Sequence, residues 1–405
     1  MLAKEAADRL SLLCPGRHLL CIQDTTEVNL SAHQHRIDES TGVGRLDYSG
    51  YNLGFKLHPV FVVDAHSLTP LGFSHIHIFH RPLNKEDRHL RCYKRLPIHR
   101  KESYKWIRAA IKSKQALSQA ASLTFIQDRE ADIYELLARI PDHNTHVIIR
   151  SSSNRHLEDQ SKLWDQIARQ KVSGNYQISL STDYRRGRKA AIANLELRWL
   201  TCRIAKPHSA LSTKVPYVEV CGIEVREHKP ARGRKPVHWR LITTHKVTCF
   251  EDARTIVEWY CQRWLIEQLF RLLKKEGFRI EDCELESGWA IRKLSVLMLI
   301  TALKVLQMRL CWNMEEGQPA CEVFDKKQLA CLGKLNATVE GSTAKLRNPF
   351  SEHSLRWAAW IIARLGGWTG YNSQGPPGPL VLKRGLDDFY LIFKGWMLER
   401  DVGTR

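Results

Sequence analysis

The chain has 405 residues, 43% hydrophobic and 26% charged, enough for two or three domains with their own cores. Its 62 Lys and Arg against 43 Asp and Glu give a net charge of +19, which favours a polyanionic partner, either nucleic acid or an anionic membrane surface. The opening MLAKEAADRLSLL carries acids and no long apolar region, so it does not read as a signal peptide. Eleven cysteines, scattered and never spaced C-x-x-C, read as reduced intracellular thiols and not as a disulfide framework or zinc site.

Residues 19–26, LLCIQDTT, form an apolar run ending in Asp24. Residues 55–67 and 70–80 read as two further strands with a turn at SLTPLG, and a basic segment turns helical after Pro97. Residues 123–140, LTFIQDREADIYELLARI, repeat the first arrangement: an apolar run, Ile-Gln-Asp, then a helical pattern. Asp24 and Asp128 therefore fall at or just past the ends of buried strands, where open sheets bind ligands. HVIIRSSS, residues 146–153, is another strand, which completes a mixed α/β pattern. From about 151 to 244 the alternation is that of half-buried antiparallel strands joined by basic loops, YRRGRK and ARGRK among them.

Helix returns at residue 249 and runs to about 307. Its longest apolar run, LSVLMLITAL, ends at Lys304, short of the roughly 20 residues of a membrane span. The tail offers two helix candidates, LRWAAWIIARL and LDDFYLIFKGWMLER, separated by GYNSQGPPGP. Four regions are expected: a first part of the core at 1–150, a β insertion at 151–244, a second part of the core at 245–310, and a helical tail at 311–405.

The stretch WYCQRWLIEQLFRLLKK carries the chemistry. At about 100° per residue, Tyr260, Arg263, Glu267, Arg271 and Lys274 fall in one stripe of a helix. A plain amphipathic helix explains this, with a Glu267–Arg271 pair contributing about 0.2–0.5 kcal/mol. So does a carboxylate ringed by cations at a phosphate site. Asp24, Asp128 and Glu267 together would suit Mg²⁺, which takes few protein ligands and the substrate's own phosphates. His75 with His77, and His33 with His35, lack the further ligands a metal pair needs.

DREADIYELL, together with Tyr260-x2-Arg263-x3-Glu267-x6-Lys274, resembles the signature of the DDE transposases of the bacterial insertion sequence 4 family. IQDTTEVNLS resembles that family's first-aspartate region, and LRWAAWIIARLGGWTG its carboxy-terminal region. The resemblance implies a ribonuclease-H-like mixed sheet interrupted by an antiparallel β insertion, with a helical C-terminal region. It implies Mg²⁺-dependent cut-and-paste transposition through end nicking, hairpin formation and strand transfer, with two ions and Mn²⁺ as a substitute. Asp24, Asp128 and Glu267 fall on its metal-binding positions, and Tyr260, Arg263, Arg271 and Lys274 on positions that grip phosphates. Trp239 falls on the residue that stacks against a flipped base, and Arg150 on another DNA-contacting arginine.

Trp239 also alternates with Val237 and Leu241, as a core tryptophan does, and Arg150 fits a plain strand end in solvent. Asp132, one turn past Asp128, reads as a local partner. The partners implied are double-stranded DNA, at element ends and target, and a second copy in a synaptic dimer, in a bacterial cytoplasm with no membrane. Only 23 residues precede Asp24, where the family carries a helical DNA-recognition domain. A truncated transposase that inhibits a full-length relative as a mixed dimer is therefore an alternative, and a general Mg²⁺ nuclease is another.

Overall fold

The computed structural model describes residues 2–33, 35–38, 41–47, 52–82, 96–180, 191–230, 236–314, 318–371 and 375–402. The basic loops YRRGRK and ARGRK, and Tyr184, lie outside these residues.

One mixed sheet of eleven strands organises the chain. β1 (His18–Gln23) lies parallel to β6 (Ser122–Gln127), and β6 parallel to β7 (Thr145–Arg150). On the other side of β1 the long β4 (Leu53–Asp64) runs antiparallel and also pairs with β2 (Thr26–Asn29), β3 (Gly44–Arg45) and β5 (Pro70–Phe79). β8 (Gly174–Leu180), β9 (Ala191–Ala205), β10 (Tyr217–Glu227) and β11 (His238–Thr243) form an antiparallel run. This run continues the same sheet, because β11 pairs with β7 through Leu241 opposite Arg150.

Helices cover both faces, which is why the central strands β1, β4 and β6 are buried on nearly every residue instead of alternating. On one face Leu20, Ile22, Phe61 and Ile126 pack with α5 (Phe250–Cys261), α6 (Trp264–Lys274), α7 (Gly288–Leu310) and the tail helices. On the other, Leu19, Cys21, Phe125 and Val147 pack with α2 (Tyr104–Ala116), α3 (Tyr134–Arg139) and α4 (Leu163–Ala168), and Leu10 of α1 (Leu2–Ser11) joins them.

The tail holds α8 (Lys326–Val339), α9 (Leu355–Leu365) and α10 (Pro379–Val402). The reading of its sequence missed α8, although Asp325 and Gln328 form a capping box that marks its start. α9 and α10 cross closely: a Cβ on Gly385 would sit 1.8 Å from the carbonyl oxygen of Ile362. α7 needs a different argument from the one its apolar run suggested. At 23 residues it is long and apolar enough to cross a membrane, and 56% of its most apolar window is buried inside this fold. It serves here as the central helix of one core.

At the amino ends of the parallel strands, Thr124 Oγ1 lies 2.8 Å from Nε2 of both His18 and His245, and His146 stacks on His245 with centroids 4.0 Å apart. Burial, reinforced by its histidine neighbours, pushes His245 down to about 3; burial lowers His18 and His146 as well. A folded pKa below the unfolded value of about 6.5 means the unfolded chain binds more protons between the two. The stability these histidines contribute is thus complete above pH 6.5 and lost as pH falls toward 3. The melting temperature should drop by several degrees between about pH 7 and 5, and His245→Asn should flatten that slope. Melting curves across that range check it, and an equal slope in the variant would refute it.

Candidate functional site

Parallel pairing of β1 and β6 places Ile22 opposite Ile126, so the residues just past each strand end lie side by side. The buried side chain of Gln127 donates Nε2–H to Gln23 Oε1 at 2.9 Å and ties the two ends together. Asp24 and Asp128 follow directly. Thr25 N donates to Asp24 Oδ1 at 2.7 Å, and the Thr25 hydroxyl is 2.9 Å from Nδ1 of the fully buried His58. His58, backed edge-on by Trp106, is a support that sequence reasoning did not single out; a histidine just before the apolar run Val60–Val63 of β4 was the available signal.

The helix expected to be continuous through residues 259–275 is broken. α5 ends at Cys261 and α6 starts at Trp264, with tight i→i+3 bonds from Arg263 N to Tyr260 O and from Leu265 N to Gln262 O at the joint. This break puts Arg263 among the acids. Its Nη1 donates to Asp24 Oδ2 at 3.1 Å, and its Nη2 donates to Glu267 Oε1. Tyr260 Oη donates to Asp128 Oδ1 at 3.4 Å. Two of the acids therefore share the Arg263 guanidinium directly, and the third, Asp128, sits on the Tyr260 hydroxyl within the field of that guanidinium.

The electrostatics follow from that gathering. Burial pushes Asp24 up to about 6; Arg263 and the Thr25 amide pull it back, while Glu267 and Asp128 push it further up. Burial works against the Arg263 charge, but Tyr260, Glu267, Asp128 and Asp24 outweigh it and hold its pKa above the usual guanidinium range. Tyr260 is pushed up to about 12, chiefly by burial and then by Asp128.

Trp239 stands edge-on to Tyr260 with ring centroids 5.8 Å apart, is half-buried, and packs against the core that also holds Tyr260. Arg150 ends β7 close enough to Tyr260 to oppose that rise in its pKa. Arg271 and Lys274 lie one and two turns further along α6. Arg271 pairs with Glu276 at 2.6 Å with 63% of its side chain exposed, and Lys274 pairs with Glu281 at 3.1 Å. The stripe of cations is thus in part a stripe of ion pairs. His75 and His77 stack on β5, and His33 Nε2 is 2.8 Å from the carbonyl oxygen of Glu281.

Among the described residues no three His, Cys, Asp or Glu stand in an arrangement that holds a metal as it is. At this site the Arg263 guanidinium bridges Asp24 and Glu267. The donor chemistry nevertheless fits a hard divalent cation, since three carboxylates face a single guanidinium, and the Glu267 and Asp128 charges push the Asp24 carboxyl up.

A cryo-EM structure of a piggyBac transposase synaptic complex with hairpin DNA is similar over 93% of this chain, at 8% identity and a TM-score of 0.36. The chain spans 57% of the length of that transposase, and likeness this low says nothing of what it binds or does. Residues 108–303 match the family described as Transposase DDE domain, a span that includes Asp128, Arg150, Trp239, Tyr260, Arg263, Glu267, Arg271 and Lys274 and begins after Asp24. The chain carries a transposase DDE domain.

Proposed function

We propose that this protein is a transposase of the insertion sequence 4 type that cuts and rejoins DNA at a site built from Asp24, Asp128 and Glu267. The observation that carries the reading is their gathering around Arg263, two from matching strand ends and one from the helix after the antiparallel strands. The strand order β5-β4-β1-β6-β7, with only the β1–β6 and β6–β7 pairs parallel, supports a ribonuclease-H-like core.

In this reading Asp24, Asp128 and Glu267 would hold Mg²⁺, or Mn²⁺ in its place. When bound, the ions supply an activated attacking oxygen and offset the charge on the leaving oxygen. Arg263 fills the charge deficit until DNA arrives and then turns to a phosphate of the scissile strand. Tyr260 keeps Asp128 oriented through its hydroxyl. Trp239 offers its ring to an unstacked base, and Arg150, Arg271 and Lys274 take backbone phosphates along the same groove. End nicking, hairpin formation and strand transfer are successive uses of this one site. Exposed Leu391 (71%) and Leu398 (59%) on α10 support a dimer through the tail.

Supercoiled plasmid incubated with the chain and Mn²⁺ should be nicked, and Asp128→Asn should abolish nicking; undiminished nicking by the variant would refute the assignment. Affinity for a duplex should fall with salt at about −0.9 in log–log slope per phosphate contacted. Lys274→Ala should reduce that slope by about one with sequence preference unchanged. Since Lys274 must leave Glu281 to contribute, Glu281→Gln should tighten binding. Filter-binding titrations from low to high salt measure both, and an unchanged slope in Lys274→Ala removes it from the interface.

A further inference from the structure

Resting on that reading of the site, we infer that Asp132 is a positioning residue: its carboxylate locks the turn that carries Asp128 to the strand end that carries Arg150. Asp132 closes the tight turn Arg129–Ala131, which starts from Asp128 with Ala131 N donating to Asp128 O at 3.0 Å. Its side chain is 0% exposed. Oδ2 accepts Ser152 N at 2.7 Å and Ser152 Oγ at 3.0 Å; Oδ1 accepts Arg155 Nε at 2.7 Å and Nη2 at 2.5 Å. Arg155 Nη2 also donates to the Asp132 carbonyl oxygen at 2.5 Å. Both carboxylate oxygens are thus occupied by donors, which leaves Asp132 no role as a ligand.

Ser152 lies two residues past Arg150, and its neighbour Ser151 donates N–H to Arg240 O at 2.8 Å, next to Trp239. Trp164 Nε1 donates to Ser151 Oγ at 2.9 Å, and the Arg240 guanidinium lies over the Trp164 ring at 4.5 Å. One carboxylate therefore fixes the Asp128 turn against two strands that carry Arg150 and Trp239. A short turn at a strand end has little else to hold it within the tenths of an ångström that shared ions require. Loss of such supporting bonds typically costs about 10–100-fold in metal affinity or activity.

The competing role is plain stabilisation by a buried ion pair. Asp132→Asn separates the two, because the amide keeps the volume and turns a donor toward donors. Free Mn²⁺ followed by electron paramagnetic resonance, plasmid nicking and melting are measured on the full chain. Glu322→Gln serves as a control; it breaks the Arg17–Glu322 bridge at 2.8 Å, away from the site. Asp132→Asn should weaken Mn²⁺ binding and slow nicking by about 10–100-fold, whereas Glu322→Gln should change only the melting temperature. Should Asp132→Asn fail to fold, Arg155→Lys makes the same test, keeping the charge and removing the fork. Unchanged Mn²⁺ affinity and nicking in the folded variant, with Asp128→Asn inactive, would overturn this inference and leave the site reading intact. Mn²⁺ affinity and nicking indifferent to Asp128→Asn would overturn both.

Discussion

Glu267→Gln should give a folded protein that still binds duplex DNA and cuts it about a thousandfold more slowly, a loss of about 4 kcal/mol in transition-state stabilisation. The fold should not notice the change, because the Glu267 side chain is 34% exposed and its hydrogen bond is to Arg263, which Asp24 also holds. The chemistry should, because a neutral amide lacks the negative charge with which the carboxylate would offset a divalent cation beside Asp24 and Asp128. Nicking rates at saturating Mn²⁺, with melting curves as the control for folding, check it. A variant that cuts within a few-fold of the parent would remove Glu267 from the chemistry and leave it the i,i+4 partner of Arg263, not of Arg271 as spacing alone suggested, since Arg271 pairs with Glu276.

Arg263→Ala should show the second large effect, this time on the protein without DNA. Its guanidinium is the counter-ion of Asp24 and Glu267 and adds to the field at Asp128 and Tyr260. Removing one partner of a largely buried pair leaves uncompensated charge, at a cost of about 3 kcal/mol near pH 7. The pH dependence has a definite sign. Asp24 titrates near 6 in the fold, above its unfolded value of 3.8, so between the two the folded chain binds more protons and loses stability as pH rises. Without Arg263 that folded pKa moves higher still. The variant should therefore recover stability on acidification toward pH 4, and millimolar Mg²⁺ should restore it at neutral pH. Arg263→Lys, which keeps a charge without the planar fork, should fall between. Equal melting temperatures for parent and Arg263→Ala at pH 7, insensitive to Mg²⁺, would show that the guanidinium compensates nothing.

Much of this site was legible because strand ends and apolar runs are local signals. Asp24 and Asp128 each follow a largely apolar run and the same Ile-Gln, and the fold aligns them because both runs are buried on two faces of one sheet. Glu267 and Arg263 were legible from helical spacing, but the break at residues 262–263 was not, since no proline or glycine marks it. The alternation of β8 to β11 was plain; that they extend the core sheet depends on hydrogen bonds between Leu241 and Arg150, distant in sequence. The engagement of Arg271 and Lys274 with Glu276 and Glu281 was hidden for a similar reason, as Glu276 lies in the turn after α6 and Glu281 in the short 3-10 turn Ile280–Asp282, whose path the helix pattern does not set. Asp132 read as a local partner of Asp128, and its bonds to Ser152 and Arg155 cross about 20 residues of chain that no spacing rule connects.

The central claim is that Asp24, Asp128 and Glu267 share divalent cations while Arg263 yields its place to them. Anomalous scattering from Mn²⁺ in crystals of the chain with a short DNA duplex tests this most directly. Manganese should lie at coordination distance, about 2.1–2.2 Å, from oxygens of Asp24, Asp128 and Glu267, with Arg263 no longer bridging Asp24 and Glu267. Manganese bound elsewhere, or Arg263 still spanning those two carboxylates in the DNA complex, would contradict it.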